Sequence, residues 1–256
     1  KCEGRVNELE KNVNQIKLSG TIGIGHVRWA THGKPSTINA HPHSSDNVSV
    51  VHNGIIENST ILKKILEKKG YKFKSQTDTE VIVHLVTDYL KKNNLKDTII
   101  KVLKKLHGSF ALGIIFKDQP DLIIGARRGS PLAVGYGPDE HYLGSDSYAL
   151  KSMTNKISYL NDGEFCILKK DQVEFFDSDG IKTNKEVLNL SKDEQNYEKG
   201  QYKYFMAKEI DEQPVTIKNC INEYIDKHNN EINIYNFPWN INDTSSVVLI
   251  GCGTAY

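Results

Sequence analysis

The residues able to do chemistry are concentrated between Gly25 and Asn58. This stretch holds five of the nine histidines, together with Arg28 at the end of an apolar run and the pair Asn53-Gly54. A guanidinium can bind a carboxylate through two parallel hydrogen bonds. A side-chain amide and a neighbouring backbone N–H can stabilise the oxygen that turns negative during acyl transfer. The grouping therefore indicates a pocket for a small carboxylate with an oxyanion site.

Each of these residues also has a purely structural interpretation. Asn-Gly is a strong hairpin-turn signal, and Arg28 could form a structural ion pair with an internal acid. Asp78 falls in the first turn of a predicted helix, where an acidic side chain is expected for the helix dipole alone. The functional interpretation needs Arg28 and Asp78 together, since the two would bind the carboxylate and the ammonium of one free amino acid.

The loop after Arg28 carries further candidates. Trp29 lies among Gly and Pro residues and suits a lid that excludes water, with burial in the core as the alternative. Thr31 and His32 are expected to supply hydrogen bonds around the pocket. His41 and His43 form an H-x-H pair, but the sequence offers no third ligand at metal-binding spacing, so we expect no metal site.

Hydrophobic periodicity predicts the elements that must position these residues. Helices are predicted at 6–16, 59–69, 77 to about 91, about 95–106 and 206–222, the last interrupted at Pro214. The segment Thr77-Asp78-Thr79-Glu80 matches a capping box. Strands are predicted at 21–27 and 48–52, with a loop at 28–45 between them, and then at 109–116, 121–126, 132–136, 141–145, 155–159, 164–168 and 172–176. Antiparallel strands mixed with helix pairs predict an α+β fold whose sheet layers are covered by helices.

Composition excludes several partners. The chain has 256 residues, of which 38% are hydrophobic, and a formal net charge of +1. We expect no nucleic-acid partner and no membrane partner, because either usually requires a clustered basic excess. The four cysteines lie far apart and outside metal-ligand spacing, which indicates free thiols in a reducing, cytoplasmic compartment.

Taken together, these residues resemble the isomerising glutamine–fructose-6-phosphate aminotransferase family. The motifs that carry the resemblance are HVRWATHGKPSTINAHPH at 26–43, VVHNGIIEN at 50–58, SQTDTEV at 75–81, ARRGSPLAVG at 126–135 and AKEIDEQP at 207–214. The last segment, VVLIGCGTAY at 247–256, resembles the opening of that family's sugar-phosphate isomerase domain.

The resemblance implies a four-layer αββα sandwich of the N-terminal-nucleophile amidotransferase type, plus the first strand of an α/β sugar-phosphate isomerase domain. It implies three regions along the chain. These are an N-terminally incomplete glutaminase domain over 1–195, an interdomain helix and linker over 196–243, and a truncated start of the isomerase domain over 244–256.

By position, the resemblance implies that Arg28 binds the α-carboxylate of glutamine and that Asp78 binds its α-ammonium. It implies that Asn53 and the N–H of Gly54 form the oxyanion hole. It places other residues around the two substrates: Trp29, Thr31, His32 and His41 at glutamine, and Cys252, Gly253 and Thr254 in the sugar-phosphate loop. It implies no metal and no cofactor.

The chemistry implied is glutamine hydrolysis by an N-terminal cysteine, with the ammonia passing to fructose 6-phosphate to form glucosamine 6-phosphate, the first step of hexosamine synthesis. The implied partners are L-glutamine, fructose 6-phosphate and, at full length, a second copy of the chain. Cys2 follows Lys1 and is not followed by Gly-Ile as the family's nucleophile is. We therefore expect the nucleophile to be absent here and this piece alone to be inactive. Ala255 and Tyr204 also depart from the family pattern.

Two alternatives stay open at the level of sequence. One is another type 2 glutamine amidotransferase, such as one acting on phosphoribosyl pyrophosphate or on aspartate. The other is a non-catalytic glutamine-binding protein that has lost its nucleophile.

Overall fold

The computed structural model describes residues 1–16, 19–190, 199–226, 231–232 and 243–248. The chain divides into two compact units, Lys1–Lys192 and Asp193–Tyr256. The first unit contains five helices and eleven strands among its described residues: α1 (Val6–Asn14), β1 (His43–Ser44), β2 (Val48–Ile56), α2 (Ser59–Lys68), α3 (Glu80–Leu90), α4 (Leu95–Lys105), β3 (Gly108–Phe116), β4 (Gln119–Arg128), β5 (Ala133–Tyr136), β6 (His141–Gly144), α5 (Ser147–Leu150), β7 (Lys156–Tyr159), β8 (Phe165–Leu168), β9 (Val173–Phe176), β10 (Lys182–Thr183) and β11 (Leu188–Asn189).

These strands form two antiparallel sheets. The first has seven strands in the order β1-β2-β3-β4-β8-β9-β10, and the second has four in the order β11-β7-β5-β6. The central pair, β2 and β3, is in continuous register from Val48 opposite Phe116 to Ile56 opposite Gly108. This pairing carries Asn53 and Gly54 in the middle of a ladder.

Strand alternation assigns the residues to layers. In β3, Phe110, Leu112 and Ile114 pack with α2, α3 and α4 in the largest hydrophobic cluster, whereas Ala111 belongs to the cluster between the two sheets. In β5, Val134 joins that same cluster, and Ala133 packs with Leu150 of α5 on the other side of the second sheet. The layer order is therefore helices, sheet, sheet and the short helix α5, as the predicted α+β sandwich requires.

The second unit contains α6 (Phe205–Tyr224) and a short pair of strands, β12 (Ile225–Asp226) and β13 (Glu231–Ile232). No residue of α6 is buried. Pro214 lies inside α6 without ending it, so the predicted interruption was wrong. Among the described residues, no helix combines the length and the apolar character needed to cross a membrane.

Most predicted elements are present, and the errors cluster near the site. Residues 21–27 form no strand, the predicted loop at 28–45 ends in β1, and β2 continues to Ile56 instead of stopping at His52. Two short strands that were not predicted, β10 and β11, follow β9. The predicted terminal strand is not seen over 243–248, and its remainder lies outside the described residues.

Gly54 is required by the β2–β3 pairing. Its φ is +126°, and a Cβ at this position would overlap the carbonyl oxygen of Ser109 on β3. Gly70 also has a positive φ, of +90°, but a Cβ there would meet nothing within 4 Å. An alanine at Gly70 would therefore meet only the unfavourable backbone conformation, whereas an alanine at Gly54 would also meet a steric clash.

We predict that Gly54→Ala destabilises the chain more than Gly70→Ala does. Both variants pay about 1–2 kcal/mol for an alanine in the left-handed region. Only Gly54→Ala adds overpacking against a backbone carbonyl, which costs roughly a further 1–3 kcal/mol. Urea unfolding followed by circular dichroism measures both, and equal midpoints for the two variants would contradict the close approach of β2 to β3 at Gly54.

Candidate active site

A cavity of about 280 Å³ lies where the loop after residue 25, the end of β2 and the start of α3 meet. Every residue predicted for the amino-acid pocket borders it. The lining consists of His26, Arg28, Trp29, Thr31, His32, His41, His52, Asn53, Gly54, Ile55, Thr77, Asp78 and Thr79. A guanidinium, a carboxylate and an amide–glycine pair that are separate in sequence therefore share one cavity. A second cavity, of about 980 Å³, lies beside it and includes residues of both sheets.

Arg28 adopts a left-handed backbone conformation, with φ of +45°. Its guanidinium donates to the carbonyl oxygens of His32 (2.6 Å), Gly33 (2.8 Å) and Lys34 (3.3 Å), which fixes the loop around it. Among the described contacts, Nε–H and one hydrogen of Nη1 have no acceptor. No carboxylate of the described residues forms an ion pair with Arg28, so the structural ion pair is not found here. A bound carboxylate could accept the hydrogen of Nε.

Asn53 and Gly54 do not form a hairpin turn. They lie inside β2, opposite Ala111 and Phe110 of β3, and the strand ends only at Ile56. Asn53 is exposed on the strand, and its Oδ1 lies 2.6 Å from Nε2 of His26. The turn interpretation is therefore wrong, and the amide of Asn53 is presented at the cavity by the strand.

Asp78 precedes α3 and is buried, with 6% of its surface exposed. Its Oδ2 accepts the N–H of Ile56 at 2.7 Å, and its Oδ1 lies 3.9 Å from Nδ1 of His32. The carboxylate thus joins the end of β2 to the start of α3, while its second oxygen points to the loop that carries His32. An ammonium group at this oxygen would be held next to the strand that carries Asn53.

The predicted capping box does not form, because α3 begins only at Glu80 and the hydroxyl of Thr77 bonds His43 and Ser75. The Glu80 carboxylate accepts the N–H groups of Lys74 (2.8 Å) and Ser75 (2.6 Å) and the hydroxyl of Ser75 (2.6 Å). Burial opposes ionisation of Glu80, but the nearby His84 ring and these hydrogen bonds outweigh it and lower its pKa to about 2. Glu80 therefore holds the segment that presents Asp78.

Three histidines lie beneath the cavity in a hydrogen-bonded network. His41 Nδ1 accepts the N–H of His52 at 3.3 Å, so its Nε2 carries the proton and donates to Thr79 Oγ1 at 3.4 Å. Thr79 then donates to His52 Nδ1 at 3.0 Å. His43 Nε2 pairs with the Thr77 hydroxyl at 3.0 Å. These contacts fix the tautomers of His41 and His52, and within the described residues His52 Nε2 has no partner.

The same histidines are held neutral by their surroundings. Burial is the main cause, and it lowers the pKa of His41 to about 2 and the pKa values of His43 and His52 to about 4. Neighbouring His26 and Lys1 add to the effect at His41 and His43 respectively. No group of three or more potential metal ligands comes together in the part of the chain that the structure describes.

Sequence reasoning missed His26, His52 and Asn39. His52 alternates with Val48 and Val50 on the buried face of β2, a pattern that was available in the sequence. Asn39 is 1% exposed and ties the loop to the Asp78 segment, since its side chain bonds both the amide oxygen and the backbone N–H of Gln76. The role of His26 comes only from the fold, because its partner Asn53 is 27 residues away.

Other predicted residues have different positions. Trp29 is 90% exposed at the rim of the cavity. Cys2 is half-buried and is not among the cavity-lining residues. The predicted phosphate-loop residues Cys252, Gly253 and Thr254 lie outside the described residues.

Comparison with known proteins gives the class of this site. Residues 28–152 match the model of a glutamine amidotransferase domain. The phosphoribosyl pyrophosphate amidotransferase of B. subtilis, solved with ADP and GMP, has a similar structure over 60% of this chain and 34% of its own, with a TM-score of 0.50 and 30% identity. Residues 28–152 therefore form a glutamine amidotransferase domain.

Comparison with curated relatives indicates a particular group of amidotransferases. The chain is 44% identical over 257 aligned residues to the isomerizing glutamine–fructose-6-phosphate aminotransferase of Bradyrhizobium diazoefficiens, and 45% identical to those of Mesorhizobium japonicum and Clostridium acetobutylicum. Each alignment covers the whole of this chain. The chain spans only 42–43% of the length of these curated relatives. It is thus homologous over its full length to part of the isomerising aminotransferases.

We predict that acid destabilises the first unit through its buried histidines. The folded pKa values of His41, His43 and His52 lie below the ordinary 6.5, so the unfolded chain binds more protons as the pH falls below 6.5. Stability is full above pH 6.5 and decreases as the pH falls toward about 4. Urea midpoints measured from pH 7.5 to pH 5 should therefore decrease.

His43→Gln removes one of these groups and should flatten that pH dependence, whatever its effect on absolute stability. The exposed His107→Gln variant provides the reference for removal of a surface histidine. A His43→Gln slope as steep as that of the wild type would show that His43 is not held neutral by the fold.

Proposed function

We propose that the first unit is the glutaminase domain of an isomerising glutamine–fructose-6-phosphate aminotransferase. The whole protein would transfer the amide nitrogen of L-glutamine to fructose 6-phosphate and form glucosamine 6-phosphate, which begins hexosamine synthesis. The observation that carries the proposal is that Arg28, Asp78 and the Asn53–Gly54 pair border one cavity. The identity of 44% to such enzymes over the whole chain selects this reaction among those of the amidotransferases.

Each side chain has a role that its contacts support. The Nε–H of the Arg28 guanidinium donates to the α-carboxylate of glutamine, and Asp78 Oδ1 binds the α-ammonium. The amide of Asn53 and the N–H of Gly54 stabilise the tetrahedral oxyanion. Thr31 and His32 line the amino-acid end of the cavity, His41 supports it from beneath, and Trp29 at the rim covers the bound substrate.

Cleavage of glutamine in this proposal is covalent. A cysteine thiol adds to the amide carbon, the C–N bond breaks with release of ammonia, and water then hydrolyses the thioester to glutamate. No cysteine lines the cavity in the described part of the chain, so the residues present bind and polarise glutamine without cleaving it. The nucleophile is expected to be the N-terminal cysteine of the whole protein.

The wider organisation is also part of the proposal. Residues 1–195 form the glutaminase domain, 196–243 the interdomain helix and linker, and 244–256 the start of the sugar isomerase domain with Cys252, Gly253 and Thr254 in its phosphate loop. The reaction uses no cofactor, takes place in the cytoplasm and is carried out by a homodimer.

A second candidate is an amidotransferase that acts on phosphoribosyl pyrophosphate. The structural similarity to the B. subtilis enzyme favours it, but that similarity extends over 60% of the chain, whereas the aminotransferases align over all of it. Activity of the full-length protein with fructose 6-phosphate or with phosphoribosyl pyrophosphate as the ammonia acceptor separates the two. Glutamine binding without turnover by that full-length protein would indicate a non-catalytic glutamine-binding protein instead.

We predict that Arg28→Ala weakens glutamine binding by this chain roughly 10–100-fold, because charge-assisted hydrogen bonds to a carboxylate are lost. Isothermal titration with 4-aminobutanamide, which is glutamine without its carboxylate, provides the matched test. The wild type should prefer glutamine strongly, and Arg28→Ala should bind the two ligands about equally. A preference that survives in the variant would exclude Arg28 from carboxylate binding.

We predict that Asp78→Asn removes the preference for an α-ammonium. The asparagine oxygen can still accept the N–H of Ile56, so the fold is kept while the charge is removed. Binding of glutamine should weaken about 10-fold or more, and binding of 4-carbamoylbutanoate, which lacks the ammonium, should change little. Asp88→Asn, at an acidic residue outside the cavity, is the control for loss of a carboxylate, and an equal effect of both variants on glutamine would contradict the assignment.

A further inference from the structure

His26 contacts both Arg28 and Asn53, which border the cavity. Its Nδ1 accepts the backbone N–H of Arg28 at 2.8 Å, and its Nε2 lies 2.6 Å from Oδ1 of Asn53. The ring also stacks on His41, with centroids 4.2 Å apart and planes inclined by 28°. One imidazole therefore links the residue proposed to bind the carboxylate to the residue proposed to bind the oxyanion.

The first contact determines the protonation of the ring. A backbone N–H can only donate, so Nδ1 of His26 must be the unprotonated nitrogen. In a neutral imidazole the proton is then on Nε2, which must donate to Asn53. Burial is the main cause that lowers the pKa of His26 and outweighs the hydrogen bonds to Asn53 and to the backbone of His52, which act in the opposite direction, so the neutral ring is favoured near pH 7.

The tautomer in turn orients the amide of Asn53. The two ends of an Asn amide have nearly the same shape, and hydrogen bonding alone distinguishes the oxygen from the nitrogen. Because His26 Nε2 donates, the atom of Asn53 that faces it must be the oxygen. The NH₂ group is then left for the cavity that Asn53 borders.

We propose that His26 is a positioning residue that holds the Asn53 amide with its NH₂ group toward the bound substrate. The inference rests on the proposed glutaminase function and adds to it a determinant of the oxyanion hole. Without the His26 donor, the amide could rotate and place its oxygen against the developing negative charge. Through Nδ1, the same ring also holds Arg28 in its left-handed backbone conformation.

The tautomer can be tested without activity. A long-range ¹H–¹⁵N correlation spectrum of the ¹⁵N-labelled 256-residue chain at pH 7.5 distinguishes the two neutral forms of each histidine, and His26→Gln assigns the signal. We expect His26 to be protonated on Nε2 and unprotonated on Nδ1. A ring protonated on Nδ1 or on both nitrogens would overturn the proposal, whether or not the protein hydrolyses glutamine.

Two substitutions separate the two contacts in the full-length aminotransferase. His26→Asn keeps an acceptor near the Nδ1 position for Arg28 but has no donor that reaches Asn53. It should lower kcat for glutamine hydrolysis about tenfold with KM changed less than about threefold. His26→Gln keeps a donor near the Nε2 position and should retain kcat within about threefold, with the larger change in KM.

A double-mutant cycle tests whether His26 acts through Asn53. If it does, His26→Asn should cause no further loss of kcat in an Asn53→Ala background, because the amide that it orients is gone. Losses that multiply in the double variant, or equal kcat for His26→Asn and His26→Gln, would overturn the proposal. A wild-type full-length protein without glutaminase activity would instead refute the proposed function, and the tautomer measurement would still decide the state of His26.

Discussion

The site depends on the hydrogen bond from the N–H of Ile56 to the buried carboxylate of Asp78. This contact joins the last residue of β2 to the turn that begins α3, and so connects the first sheet to its helix layer. Ile56 itself is fully buried, and Asp78 is buried with it. Burial of a carboxylate is unfavourable unless the carboxylate accepts hydrogen bonds. The bond from Ile56 therefore fixes the position of the Asp78 carboxylate, and with it the position of the second oxygen, Oδ1.

Buried polar residues around this contact form a network that holds the cavity in one shape. Glu80 binds the backbone before Asp78, Asn39 ties the loop to Gln76, and Thr79 joins His41 to His52. Apart from His52 Nε2, these buried groups bond one another, and buried polar side chains that are hydrogen-bonded in this way confer rigidity. The cavity is therefore held by side chains of three separate segments, and a ligand meets groups that are already oriented.

Hydrophobic periodicity predicted the parts of the fold in which each element buries one apolar face. The strands from β3 to β9 and the helices α2 to α4 follow from periodicity, because their apolar faces pack on sheets or helices that cover them. Several residues of the cavity, although not His26 or His52, also came from the sequence, as residue types and as a family resemblance. Their contacts could not, since the partners of Asn53, Asp78 and Asn39 lie 22 to 37 residues away in the chain.

The predictions that failed near the site failed for a common physical reason. An Asn-Gly pair favours a turn, but here pairing with β3 keeps it in a strand where only glycine fits against the carbonyl oxygen of Ser109. A capping-box motif favours a bond from Glu80 to the end of its own helix, but Glu80 accepts the N–H groups of Lys74 and Ser75 instead. Arginine avoids the left-handed region, yet His26 and three carbonyl groups hold Arg28 there. Tertiary contacts override local preference at each position, and such conflicts are expected where a chain is shaped for a ligand instead of for stability.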